Sequence, residues 1–241
     1  MQPLTRGAYT ARLVHGDDDL TEAQALRHLA FRRGAGRDQD GFDALCRHLL
    51  VSDAGGTLVA CCRLQEFGLG GDLSASYAAQ FYDLTRLSGF AGARMELGRF
   101  CLHPARRDPD ILRLTWGALT AIVEAARVRL LFGCSSFAGA DPAAHLSALG
   151  ALLRYVAPAA LAPGPRAPER VALPPGGGDV AGLPPLLRSY LAMGAWVSDH
   201  AVIDRDLDTL HVFTGLAMAD VPQARARSLR SVAGPWVAMP G

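Results

Sequence analysis

Three consecutive runs constrain the fold most: ARMELGRFCLHP (93–104), ILRLTWGALTAIVEAARVR (111–129) and LLFGCSSF (130–137). The first reads as a strand stopped by Pro104, the second as a helix with Asp110 in cap position, and the third as a short uninterrupted apolar strand of the kind buried on both faces. A strand, a helix and a buried strand in this order predict a parallel crossover over residues 95–135. The ends of its two strands then form a natural crevice for a ligand.

The rest of the chain extends an α/β pattern. YTARLVHG (9–16) reads as a strand, and DDDLTEAQALRHLAFRRG as a helix capped by Asp19 or Thr21 and ended by Gly34 and Gly36. HLLVSDAGGTLVACCRLQEF is a hairpin about an Ala-Gly-Gly turn, and 74–90 a short helix and loop. Asp141 and Pro142 open a helix with Leu146, Leu149 and Leu153 on one stripe. Residues 183–195 give a last helix, and 200–216 two strands about an Asp-rich turn. These elements predict a core over 1–156, a Pro/Gly/Ala-rich surface excursion over 157–183, a helix and strands over 184–217 that complete the same domain, and a basic tail over 218–241 that frays. The expected fold class is α/β, a mixed central sheet flanked by helices.

Composition removes whole classes of chemistry. All 24 basic residues are Arg, so a phosphate-loop lysine, a Schiff-base lysine and a lysine base are excluded. A net charge of +1 gives no bulk attraction to nucleic acid. Cys46, Cys61, Cys62, Cys101 and Cys134 form no C-x-x-C pair and read as core thiols of a reducing compartment. The histidines show no metal-ligand spacing, so no metal is expected. Without a signal-peptide pattern or an apolar run of roughly 18–20 residues, the expectation is a soluble, cytoplasmic protein.

Against this apolar background, charges on strands stand out. MELGRFCLHP carries Glu96 and Arg99, which point to opposite faces of a regular strand and share a face only across a bulge, for which Gly98 is the natural place. Arg63 lies in the strand CCRL, Arg27 and Phe31 lie four apart on the first helix, and Asp40-Gly-Phe-Asp43 follows the glycine loop. Buried charges demand partners, so these residues predict a network of ion pairs.

The set ALRHLAF, DGFDALCRHLLVSD, CCRL, MELGRFCLHP, LFGCSSFAGADP and LPPLLRSYLAMGA followed by DRDLDTLHVF resembles the ornithine-lipid N-acyltransferases of the GNAT superfamily over about residues 9–217. It is more distantly similar to the acyl-homoserine-lactone synthases. The resemblance implies a GNAT-like acyltransferase fold and transfer of a 3-hydroxyacyl chain from acyl carrier protein to the α-amino group of ornithine. Around the acceptor and thioester crevice it places Arg27, Phe31, Asp40, Asp43, Arg63, Glu96 and Arg99; the attacking amine must be neutral, so a carboxylate near it, directly or through water, takes its proton, and Glu96 is the expected base. On the donor side it places Phe100, Cys101, Leu102, Arg106, Arg107, Cys134 and Ser135 along the acyl and phosphopantetheine arm, with the phosphate near the 111–129 helix N-terminus. No tightly bound cofactor is implied. The implied partners are acyl carrier protein and a small amino acid resembling ornithine, with contact at the inner membrane face through the lipid product.

HPARRDPDIL departs from the glycine-rich phosphate cradle of coenzyme-A-dependent GNAT enzymes, and Asp108 and Asp110 put negative charge there, which favours a carrier protein over acetyl-CoA. The lactone synthases carry a Trp soon after the first helix, whereas the first Trp here is Trp116. Lactone synthesis is therefore the alternative, followed by a silent GNAT-like module docking on membrane or carrier protein through Arg225, Arg227 and Arg230.

Overall fold

The computed structural model describes residues 2–234. In chain order the elements are β1 (Leu4–Arg6), β2 (Tyr9–Leu13), α1 (Asp17–Phe31), β3 (Arg47–Asp53), β4 (Leu58–Phe67), β5 (Tyr82–Asp83), β6 (Ala93–Leu102), α2 (Pro109–Ala125) and β7 (Val128–Ala138). Then come α3 (Leu146–Ala151), β8 (Gly164–Pro165), β9 (Arg170–Ala172), α4 (Pro185–Leu191), β10 (Trp196–Asp204), β11 (Thr209–Ala217) and α5 (Gln223–Ala233). The chain forms two compact units. The first takes the residues up to Glu66, Leu97–Val128 and the stretch from Gln223; the second takes Phe67–Glu96 and Arg129–Pro222. No helix of the described residues is long and apolar enough to cross a membrane.

In the first unit β1, β2, β3 and β4 run antiparallel in succession, with Leu4 opposite Ala11, Tyr9 opposite Asp53 and Leu49 opposite Cys62. The Leu97–Leu102 part of β6 lies next to β4. Helix α1 starts at Asp17, because Asp19 spends its carboxylate on Arg12 and on the backbone N–H of His15 instead of capping. It seals the sheet with Ala23 and Leu26 against Leu50, Cys61 and Cys101. Each of these leucines contributes about 1.5–3 kcal/mol on full burial. Helix α2 is capped by Asp108, not Asp110, since Pro109 suits the first helical position. The expected fraying tail is a helix from Gln223 to Ala233 that buries Leu229, Val232 and Ala233 and packs on α2; residues 235–241 lie outside the described residues.

In the second unit β7, β11, β10 and β9 run antiparallel in succession, β7 and β11 pairing from Thr209 opposite Ala138 to Ala217 opposite Leu130. One face buries an aromatic core in which Phe132 and Trp196 stack on Phe213. The other buries Ala148, Leu149 and Leu152 with Leu183 and Leu187. The expected stripe fails there: Leu146 and Leu153 are exposed, because the helix ends at Ala151 and continues as a 3-10 turn. Residues 157–183 are woven into the unit, since β9 pairs with β10 and Ala157, Ala167, Leu173 and Leu183 are buried. Residues 73–89 form three 3-10 turns and β5 in place of one helix.

Candidate active site

Six ionised side chains meet in the first unit: Arg27 from α1, Asp38, Asp40 and Asp43 from the loop after it, Arg63 from β4 and Arg99 from β6. The loop's sequence R-D-Q-D-G-F-D makes this compact. Asp40 accepts the backbone N–H of Phe42 at 2.9 Å in an Asx turn, which returns Asp43 toward the same centre. Arg27, 1% exposed, donates Nε to Asp38 (3.1 Å) and two terminal nitrogens to Asp43 (2.7 and 3.1 Å). Arg63 bridges Asp40 (2.5 Å) and Asp43 (3.1 Å), and Arg99 bridges Asp38 (2.8 Å) and Asp40 (3.4 Å). Three cations face three anions, the condition under which buried charge is tolerated.

The electrostatics follow from this pairing. Burial raises the Asp43 carboxyl, but hydrogen bonds and charge from Arg27, with Gln24 and Arg63, overcome it and hold Asp43 at about 2. Burial likewise raises Asp38, and Arg99 and Arg27 bring it below its ordinary value. Burial lowers Arg27, and Asp43 and Asp38 more than restore it. His48 is pushed down by burial and donates Nε2 to the Asp43 carbonyl at 3.0 Å, so it braces the loop as a neutral ring.

One acid differs from its neighbours. The Asp40 side chain is 25% exposed, against 3% for Asp38 and 6% for Asp43. Its two arginine partners each lie over an aromatic ring, the Arg63 guanidinium 5.5 Å over Phe42 and that of Arg99 5.9 Å over Phe31. The result is a partly exposed carboxylate, paired with Arg63 and Arg99, in a cluster whose three cations and three anions balance only with Asp40 included.

The strand irregularity expected at Gly98 falls on its neighbour: Arg99 has φ +49, a left-handed conformation rare for a residue with a Cβ. The ion pairs to Asp38 and Asp40 hold it there. Gly98 serves a different need, since a Cβ at that position stands 3.3 Å from the Nε of Arg63. Its bare Cα leaves room for the Arg63 side chain to lie against it.

Arg27, Phe31, Asp40, Asp43, Arg63 and Arg99 are thus brought together. Asp38, which joins Arg27 to Arg99, and Gln24, whose Nε2 donates to Asp43 at 2.8 Å, escaped the sequence reading. The signal for Asp38 was arithmetic: three strand or helix arginines call for a third aspartate. On the donor side, Phe100 meets Trp116 edge to face, and Arg106 pairs with Asp53 at 3.0 Å. Leu102 is half-buried and Arg107 exposed. The Cys101 thiol faces the α1 core 3.6 Å from that of Cys61, and this contact together with burial keeps it protonated. The α2 N-terminus is closed to phosphate: Pro109 has no N–H, that of Asp110 goes to the Asp108 side chain, and that of Ile111 to the Asp108 carbonyl.

Glu96, Cys134 and Ser135 belong to the second unit. Glu96 is buried, and its two oxygens accept the backbone N–H groups of Tyr77 (2.8 Å) and Ala78 (2.7 Å). Ser135 is buried and accepts the Thr214 hydroxyl at 2.9 Å, while Cys134 packs half-buried against the aromatic core. Among the described residues no three His, Cys, Asp or Glu side chains are set to hold a metal.

Comparison with known proteins gives this geometry its class. Residues 23–117, which carry the whole charged cluster, match the acetyltransferase (GNAT) domain family. The fold is similar to FeeM, an N-acyl amino acid synthase from uncultured soil microbes (TM-score 0.50, 9% identity, 88% of this chain and 92% of that one). It is also similar to TofI crystallised with an inhibitor and MTA (TM-score 0.51, 12% identity, 92% and 98%). At such identities the likeness speaks for the fold alone. The chain is an acyltransferase of the GNAT-like fold, α/β with a mixed sheet. Two curated relatives narrow this: the L-ornithine Nα-acyltransferase of Rhodobacter capsulatus, 31% identical over 85% of this chain and 88% of its own, and that of Brucella abortus, 31% identical over 86% and 83%. The chain belongs to the L-ornithine Nα-acyltransferase family.

Proposed function

We propose that this protein transfers a 3-hydroxyacyl group from acyl carrier protein to the α-amino nitrogen of ornithine, the first step toward an ornithine lipid. The observation that carries the acceptor assignment is Asp40: at 25% exposure it is the carboxylate of the cluster that a cationic side-chain amine can reach, beside its partners Arg63 and Arg99. The relatives named for ornithine acylation support the same reading.

In this reaction the neutral α-amine attacks the thioester carbonyl carbon, a C–N bond forms, and the C–S bond breaks. The carrier's phosphopantetheine leaves as thiolate and ends as thiol with the amine's proton. Glu96 takes that proton, directly or through water. The left-handed Arg99 turns the backbone of β6, and the amides from Arg99 to Leu102 hold the developing oxyanion. Phe100 and Leu102 serve the acyl arm, and Arg106 and Arg107 the carrier's phosphate. The enzyme works in the cytoplasm and releases its amphiphilic product to the inner membrane face.

Purified protein with 3-hydroxyacyl carrier protein and L-ornithine is expected to release carrier thiol and a lyso-lipid in equal amounts; thiol release that ornithine does not stimulate overturns the assignment. Glu96→Gln is expected to lower kcat about 100-fold or more and to abolish the acid limb of the rate profile. Its melting temperature must be followed in parallel, because the amide offers Tyr77 and Ala78 only one acceptor oxygen.

A further inference from the structure

A cavity of about 410 Å³ lies within the second unit, lined by Pro165, Pro168, Arg170, Ala172, Asp199 and His200. Its size is that of a small-molecule site. Strand pairing builds its wall. His200 of β10 lies opposite Ala172 of β9, and Val202 opposite Arg170, so Arg170, Ala172 and His200 share one face of the sheet. In a regular strand Asp199 points to the other face. The β10 register shifts between Val197 and Ala201, and at this bulge Asp199 and His200 turn toward each other, Oδ1 to Nδ1 at 2.6 Å. The Ser198 hydroxyl pins the bulge, donating to the His200 carbonyl at 2.6 Å and accepting the Phe213 N–H at 3.0 Å. On the loop before β9, Ala167 donates its N–H to the Phe81 carbonyl at 2.9 Å and accepts Nη1 of Arg170 at 2.9 Å, which fixes the guanidinium.

Two groups of this cavity lack partners. The His200 side chain is 6% exposed, and its Nε2 is buried without a hydrogen bond. A buried ring nitrogen left unbonded is costly. Apart from the bond to Ala167, the Arg170 guanidinium meets no acceptor among the described residues. With Nδ1 committed to Asp199, the imidazole has only Nε2 to offer a ligand.

These groups set the ligand's charge. Arg170 repels a metal ion and attracts an anion. Asp199 works against a dianion, so a single negative charge fits best. A carboxylate meets the guanidinium with two oxygens and gives an imidazolium Nε2–H its acceptor. The cavity is larger than a carboxylate alone, and Pro165 and Pro168 offer apolar surface to an organic body. We infer that this cavity binds a small organic carboxylate, held by Arg170 and by His200 in the orientation that Asp199 fixes. None of its lining residues belongs to the ion-pair cluster or to the groups assigned to acyl transfer, so this is a site that the proposed reaction leaves unused.

The probe is benzoate, with benzamide as its uncharged match, titrated into the full chain by calorimetry and by nitrogen NMR of the histidine side chains. Benzoate is expected to bind and to move the Nε2 resonance of His200, with benzamide roughly 10-fold weaker or more. Arg170→Gln is expected to weaken benzoate about 10- to 100-fold, and His200→Gln about 10-fold. Arg170 is exposed on an edge strand, so its variant remains testable if His200→Gln, in the interior, does not fold. Arg205→Gln, which breaks a surface pair with Glu169 outside the cavity, is expected to leave the affinity unchanged. Each of four results overturns the assignment: no binding of benzoate, equal binding of benzamide, an unmoved His200 resonance, or unchanged affinity in the folded Arg170→Gln protein.

Discussion

The two units bury charge in opposite ways. In the first, Arg27, Arg63 and Arg99 are neutralised by the side chains of Asp38, Asp40 and Asp43. In the second, Arg94 donates to the backbone carbonyls of Leu87 (3.1 Å), Ser88 (3.4 Å), Gly68 (3.3 Å) and Gly71 (3.0 Å), and Glu96 accepts two backbone N–H groups. A charge held by backbone dipoles is a clamp on the loops that supply them, here residues 68–88. Charges held by one another are matched pair by pair, and in this set Asp40 keeps a quarter of its side chain open to solvent. The contrast separates Arg94, which holds loops in place, from a set of paired charges beside which a ligand can bind.

Asp43→Ala should break the first arrangement most severely, because it strands Arg27 and Arg63 in the interior. We expect a loss of about 3–5 kcal/mol in denaturant unfolding, with activity abolished. Arg94→Met tests the second arrangement. Leaving four carbonyls without their donor is expected to cost about 2–3 kcal/mol, while turnover per folded molecule stays at the wild-type level. Equal losses of turnover in both variants would erase the distinction.

Acid titration sharpens the same contrast. Asp43 is held at about 2 in the folded protein against an ordinary 3.8, and a depressed carboxylate stabilises the fold at pH values above its unfolded pKa. That contribution, about 2 kcal/mol, is fully present above pH 3.8 and is lost as the pH falls through 2. Asp43→Asn should therefore flatten the stability curve between these values, read by urea midpoints at successive pH. The smallest effect is expected from Gly98→Ala, whose Cβ at 3.3 Å from Arg63 displaces that guanidinium slightly; about 1 kcal/mol and a few-fold loss of kcat are expected.

Much of the fold was legible in the sequence. The hairpin 47–67, the strand stopped by Pro104, the 111–129 helix and the late pair of strands all show strong periodicity or punctuation, and all appear within a few residues of their expected limits. The elements misread are those whose local signal was weak. Residues 157–183 are rich in Pro and Gly, yet β9 pairs with β10 because neighbouring strands supply the hydrogen bonds that composition does not reveal. Gln223–Ala233 looks merely basic, yet three apolar residues suffice to dock it on α2. In the site, Arg27, Asp40, Asp43, Arg63 and Arg99 were visible as charges out of place among apolar neighbours. Asp38 was hidden in an acidic loop where a carboxylate needs no explanation.

What the sequence alone determined is the class of element at each strong signal, the absence of any lysine chemistry, and the need for an ion-pair network, because buried arginines on strands must be neutralised. Which carboxylate neutralises which guanidinium was decided by tertiary structure. So were the shift of the strand irregularity from Gly98 to Arg99 and the exposure of Asp40 above its buried companions. Pairing depends on distances between residues up to 61 positions apart, Asp38 and Arg99 being the example, and no local spacing encodes such a distance.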